Sequence, residues 1–177
     1  MPITPWEIKS EKVAFEKYGR QVIKRRFVMP DKATADFYVK KEKNTAGTFA
    51  LTKDNQVILV KQYRPGPNKV LLEMPGGFID STRQKPKDVA EKELLEETGY
   101  KGSFEFVAKC IDDAYSTVER SVFVAKNCEM VAKPQLEKTE FAEVKLVSLK
   151  DFRKLLRSGQ MTDVEAGYLA LDYLKLL

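Results

Sequence analysis

Short stretches in which apolar and polar residues intermix dominate the first half of the chain, and they predict strands. Residues 7–18 and 21–29 read as two extended segments broken by Gly19, and a turn at Pro30-Asp31 leads to a third at 36–41. Two more follow, at 47–52 and, after the Asp54-Asn55 turn, at 56–63; Pro65-Gly66-Pro67 ends the last of them. Within it the run Val57-Ile58-Leu59-Val60 is too apolar for an exposed strand, which predicts a central place in a sheet. The pattern then changes. Residues 87–97 are good helix formers, Pro86 suits a first turn and Gly99 suits the position just past the end, so a helix is predicted there. Strands are predicted again at 104–111, 120–125 and 144–148. Two helices close the chain. Ser148-Leu149-Lys150-Asp151 caps one that stops at Gly159, and Thr162-Asp163-Val164-Glu165 reads as a capping box for the other, whose Leu169, Leu171 and Leu174 can pack inward. Strands broken by a central helix and closed by terminal helices predict an α/β fold with mixed sheets, and the first forty or so residues read as an added strand hairpin.

Composition narrows the class without naming a chemistry. A hydrophobic share of 43% beside 32% charged residues is a globular balance, and 177 residues suffice for one domain whose core needs no disulfide staples. No apolar run approaches the roughly 20 residues of a membrane span. The opening MPITPWEIKSEK carries no apolar signal region, so a cytoplasmic protein with no membrane contact is expected. Cys110 and Cys128 fall in different strand regions without metal-type spacing, and buried, reduced thiols are expected. The net charge of +5 is scattered among acids, with Lys24-Arg25-Arg26 and Lys40-Lys41 as short clusters. Nucleic acid is therefore not the expected partner, and an anionic small molecule would also gain from such a field. The chain has no histidine, which removes every His-based triad and His metal site.

The informative stretch is MPGGFIDSTRQKPKDVAEKELLEETGY, residues 74–100. On its helix Glu93, Glu96 and Glu97 fall within an arc of about 100°, flanked by Ala90 and Leu94, so this face borders the core; Glu91 points away. Carboxylates gathered near a helix C-terminus oppose the macrodipole and call for a compensating cation. Their hard oxygen atoms suit Mg²⁺, which keeps waters and bridges to phosphate. A solvated acidic face paired with Lys92 is the competing reading, and for a lone Glu-x-x-Glu-Glu it would be preferred. The Gly76-Gly77 turn ahead of the helix favours the metal reading, because glycine lets backbone groups approach a ligand closely.

This stretch resembles the Nudix signature: G, five residues, E, seven residues, R-E-U-x-E-E-x-G-U, with U a bulky apolar residue. Gly77 matches the opening glycine, and Glu93-Leu94-Leu95-Glu96-Glu97-Thr98-Gly99-Tyr100 matches the close. The resemblance implies an α/β/α sandwich, with an N-terminal β extension over residues 1–41 and the catalytic domain over 42–177. It implies Glu93 and Glu97 as principal metal ligands, Glu96 assisting, the Gly76 carbonyl as a further ligand, and Mg²⁺ (with Mn²⁺ as an alternative) as cofactor. Two departures stand out. Arg83 or Gln84 occupies the place of the early Glu, and Lys92 replaces the Arg that orients the acids; a lysine cannot reproduce its bidentate fork.

Further features resemble the ADP-ribose pyrophosphatase branch: Trp6 with Met29-Pro30-Asp31, Gln62-Tyr63-Arg64, Leu72-Glu73-Met74-Pro75-Gly76-Gly77 and Ser158-Gly159-Gln160-Met161-Thr162-Asp163. Tyr115-Ser116 stands where that branch usually has a proline, whereas Glu119-Arg120 fits it. The resemblance assigns Arg64, Glu73 and Gly77 to substrate binding, and Glu96 and Glu97 to catalysis. It also assigns a late-loop Glu as general base or extra ligand: Glu140, with Glu137 second. The expected reaction is ADP-ribose to AMP and ribose 5-phosphate. The alternatives are a nucleotide sugar or dinucleoside polyphosphate substrate, or a module that binds a nucleotide without cutting it. In relatives the N-terminal strands swap between subunits, so a homodimer is expected, with Trp6, Phe15, Tyr18 and Phe27 at adenine or in the interface.

Overall fold

The protein is described from a computed structural model covering residues 3–136 and 141–177. It forms two compact units, Met1–Lys43 with Ile111–Glu119, and Asn44–Cys110 with Arg120–Leu177.

The first unit is a three-stranded antiparallel sheet of β1 (Glu7–Lys17), β2 (Arg20–Val28) and β3 (Thr34–Lys41), in that order. It is wider than the expected hairpin, because β3 pairs with β2 along its whole length. Ile111–Glu119 belongs to it through backbone bonds from Lys40 N–H to the Tyr115 carbonyl (2.7 Å) and from Thr117 N–H to the Lys40 carbonyl (2.9 Å). Sequence division at residue 41 gives no sign of this, since the contact joins positions far apart in the chain. Trp6, Phe27 and Phe37 form a cluster with centroids 5.6–6.0 Å apart, in the range where edge-to-face rings attract. In β1 two register shifts, between Ile8 and Ser10 and between Val13 and Phe15, break the alternation of faces. The whole strand is exposed.

The second unit continues with β4 (Thr45–Thr52), β5 (Gln56–Arg64), β6 (Lys69–Glu73), β7 (Gly76–Phe78), α1 (Pro86–Thr98), β8 (Tyr100–Ile111), β9 (Glu119–Met130), β10 (Ala142–Ser148), α2 (Leu149–Leu155) and α3 (Val164–Tyr173). Its sheet has the order β10-β5-β4-β9-β8, with β6 added to β5 and β7 to β4. The β4–β9 pair is parallel, while β4–β5, β5–β6, β4–β7 and β5–β10 are antiparallel.

Period-two alternation divides the core between the two faces of this sheet. Phe49, Leu51, Val57 and Leu59 pack with Phe152 of α2 and Ala166, Ala170 and Leu171 of α3. Ala50 and Ile58, one step out of phase, pack with Leu94 of α1, and Ala46 packs with Val89 and Ala90. The result is the α/β/α layering expected, and it explains why residues 57–60 are apolar on both faces.

Three local expectations are corrected. Gly76-Gly77 is the start of a short strand pairing with Gly47 and Ala46, not a turn, because the β4 edge is open there to accept it. The capping box ahead of α3 does not form: Asp163 makes no side-chain cap, and Glu165 pairs with Arg120 at 2.6 Å instead. The first terminal helix ends at Leu155, and Gly159 (φ 67°) closes a turn beyond it. The Ser148 cap is present, with its hydroxyl accepting from Asp151 N–H at 3.1 Å. Cys110 and Cys128 are both thiols; Cys128 is buried, which pushes it up to about 11, but Cys110 is only half-buried. No helix among the described residues is long and apolar enough to cross a membrane.

Candidate active site

Helix α1 carries the acids because its sequence satisfies both its ends and one face. Pro86 opens it and Gly99, at φ 78°, closes it by donating to the Leu95 carbonyl at 2.8 Å. Val89, Ala90, Leu94 and Thr98 are buried beneath it. Glu93 and Glu97 lie next to these positions in the helical sequence and are half-buried, as is Glu96; Glu91 is exposed.

Glu93 and Glu97 are both engaged at β7. The Gly76 N–H donates to Glu97 Oε2 at 2.9 Å. At Gly77 a Cβ would lie 2.6 Å from Glu93 Cδ, so the glycine leaves the space that this carboxylate occupies. Glu96 lies on the other side of the acid group: Lys92 Nζ is 2.7 Å from Glu96 Oε2 and 3.5 Å from Glu93 Oε1. Thus the lysine that departs from the signature neutralises Glu96 chiefly, as a point charge and without a fork. Gln84, one of the two candidates for the missing acidic position, accepts from Asp80 N–H at 2.9 Å and closes a surface turn.

Glu73 ends β6 opposite Val60 of β5, and the side chain of Arg64, four residues further along β5, reaches back to it. Glu73 is 3% exposed, which demands a charged partner. Arg64 Nε approaches both carboxylate oxygens at 2.8 Å, a second guanidinium nitrogen also bonds to Oε2, and Gln62 Nε2 donates to Oε2 at 2.9 Å. The guanidinium is held above its ordinary pKa by Glu73 first, with the charges of Glu97 and Asp163 adding to the effect.

The structure thus gathers Glu93, Glu97, Gly76 and Gly77 at one edge of α1, with Glu96 turned to Lys92 and the Arg64–Glu73 pair alongside. Glu140 and Glu137 lie outside the described residues. Sequence reasoning missed three members of this neighbourhood. Gln62 was legible, since residues 62 and 64 share one face of a strand. Arg120 enters the sequence reading only as a branch feature, and Asp163 as a branch feature and part of an expected capping box; their ion pair, at 2.6 Å, joins chain segments far apart.

Among the described residues no three carboxylates enclose a point as a ready metal cage. The donor set nevertheless suits a divalent ion, because Mg²⁺ commonly takes one or two carboxylates, waters and substrate phosphate, and the missing Cβ of Gly77 keeps the Glu93 carboxylate against β7.

The NUDIX domain family matches residues 41–165. An ADP-ribose pyrophosphatase of Bacillus subtilis is 29% identical over 151 residues, spanning 84% of this chain and 80% of that one. An ADP-ribose pyrophosphatase of Saccharomyces cerevisiae is 34% identical over 109 residues, 56% of this chain and 46% of its own. A crystal structure described as an ADP compounds hydrolase superposes with a TM-score of 0.82 over 99% of this chain and 97% of its own at 18% identity, a likeness of fold. Domain match, fold and acid-bearing helix agree: this chain is an enzyme of the Nudix hydrolase family, in the branch that includes the ADP-ribose pyrophosphatases.

Proposed function

We propose that this enzyme hydrolyses the pyrophosphate bond of ADP-ribose, giving AMP and ribose 5-phosphate. The observation that carries the reading is the acid edge of α1 engaged with Gly76 and Gly77 beside the Arg64–Glu73 pair. The names of the Bacillus subtilis and yeast relatives support the substrate. A divalent ion, Mg²⁺ or Mn²⁺, held by Glu93, Glu97, Glu96 and the Gly76 carbonyl, would supply positive charge against the diphosphate and acidify water. Arg64, Glu73 and Gly77 bind and orient the nucleotide. Glu140 takes the proton of the attacking water, with Glu137 as its substitute. Support for a base from that part of the chain comes from Gln135, whose N–H donates to the Glu96 carbonyl at 2.7 Å near the end of α1. Incubation with ADP-ribose and Mg²⁺ is expected to release AMP and ribose 5-phosphate; no turnover with any divalent metal would refute the substrate. A panel of nucleotide sugars and dinucleoside polyphosphates measures its preference.

Lys92 on Glu96 and Gln84 in a turn favour one rival, a module that binds the nucleotide without cutting it. Tight calorimetric binding of ADP-ribose without product would establish it.

The enzyme works in the cytoplasm as a homodimer in which the N-terminal strands are exchanged. The exposed β1, with Ile8, Val13 and Phe15 about half exposed, supports such an interface, since apolar side chains on an edge strand invite a partner. Val13→Asp with Phe15→Asp is expected to convert a dimer to a monomer in light scattering. A wild-type monomer at micromolar concentration would contradict the proposal.

A further inference from the structure

In the ladder between β5 and β6, Val60 stands opposite Glu73, Gln62 opposite Leu71 and Arg64 opposite Lys69. These six residues share one face of the sheet, because directly paired residues lie on the same side and so does every second residue along a strand. Arg64 therefore has a like charge as its direct partner, which is an unfavourable pairing. Its guanidinium instead reaches back along β5, past Gln62, to Glu73. Gln62 lies between the two members of the ion pair, on the strand that carries one of them.

Arg64 by itself leaves the pair free to move. Nε and Nη2 form a fork on the Glu73 carboxylate, and two flat groups joined by a fork can pivot together about the side-chain bonds that carry them. A donor rooted at a third residue stops that pivot. Gln62 Nε2 donates to Glu73 Oε2 at 2.9 Å, and since a carboxylate only accepts, the bond also settles which end of the amide faces it. Glu73 is 3% exposed, so water cannot readily replace this donor once it is removed. The fork leaves Nη1 of Arg64 outside it, on a side chain that is 46% exposed.

We infer that Gln62 is a positioning residue: by pinning Glu73 it holds the Arg64 guanidinium in one orientation, with the Nη1 edge presented outward. A cation whose orientation is fixed before the ligand arrives loses less freedom on binding an anion. The kinetic consequence rests on the proposed substrate role of Arg64; the ordering of the guanidinium does not.

Arginine side-chain NMR on the full chain tests this, with the Arg64 Nε–H identified by its loss in Arg64→Lys. Gln62→Met, which keeps the length and removes the donor, is expected to speed hydrogen exchange at that group about tenfold, the scale of one hydrogen bond to a charged group. Gln62→Asn, whose amide is one methylene short of Glu73, should act in the same direction and covers the case that Gln62→Met does not fold. The Nε–H of Arg153, which donates to the Leu176 carbonyl at 2.9 Å, reports any general loosening and should keep its rate within about twofold. In the kinetic arm Gln62→Met should raise KM for ADP-ribose about tenfold with kcat nearly unchanged, and adding it to Arg64→Lys should raise KM little further. Unaltered Arg64 exchange in both Gln62 variants, or equal acceleration at Arg64 and Arg153, would overturn the inference, and so would additive effects on KM. Absence of ADP-ribose turnover would remove only the substrate reading, and the exchange rates would still decide this one.

Discussion

Glu97→Gln should abolish nearly all activity while leaving the fold intact. The amide keeps an oxygen that can accept the Gly76 N–H now bonded at 2.9 Å, so the contact between α1 and β7 survives and the melting temperature should move by no more than about 3 °C. The negative charge is lost, and with it a hard ligand for the divalent ion. Charge stabilisation of that kind is worth several kcal/mol, so kcat should fall on the order of 10³-fold. A variant retaining more than about a tenth of wild-type turnover would remove Glu97 from the proposed chemistry.

Gly77→Ala should damage catalysis more than stability, and Gly76→Ala the reverse. At Gly77 the added methyl would meet Glu93 Cδ at 2.6 Å and Oε1 at 2.7 Å. These atoms end a flexible side chain, so the carboxylate can retreat at small cost to folding. It cannot retreat and stay in place. A displacement of about 1 Å in a catalytic group costs roughly 10²-fold, which is the loss expected in kcat. At Gly76 the methyl would meet the Ala46 carbonyl oxygen at 2.5 Å and Gly47 Cα at 2.9 Å. Both belong to the backbone of β4, which cannot move without breaking its pairing with β7 and β9. A destabilisation of about 3 kcal/mol or more is expected. Activity per folded molecule and thermal unfolding, measured for both variants, separate the two cases; equal loss of stability in both would contradict the assignment.

Most element types, together with the placement of the acids on α1, were legible in the sequence. Residues 57–60 announced a central strand by being apolar on both faces, and Pro86 and Gly99 bracketed the helix closely. The acid positions followed from helical period and motif. What escaped had in common that the signal lay in another part of the chain. β7 is three residues long, two of them glycine, and is a strand only because β4 offers it an edge. Ile111–Glu119 reads as a loop in isolation and joins β3 through Lys40.

The chain by itself determined the helix that presents Glu93, Glu96 and Glu97, because helical period and end signals are local and need no partner. Tertiary structure alone decided that Glu97 would turn to the Gly76 N–H and that Asp163 would abandon its helix for Arg120. The physical reason is competition. A carboxylate binds the strongest donor within reach, and for an acid such as Asp163 the donors within reach are set by strands and turns that sequence separation keeps out of local view.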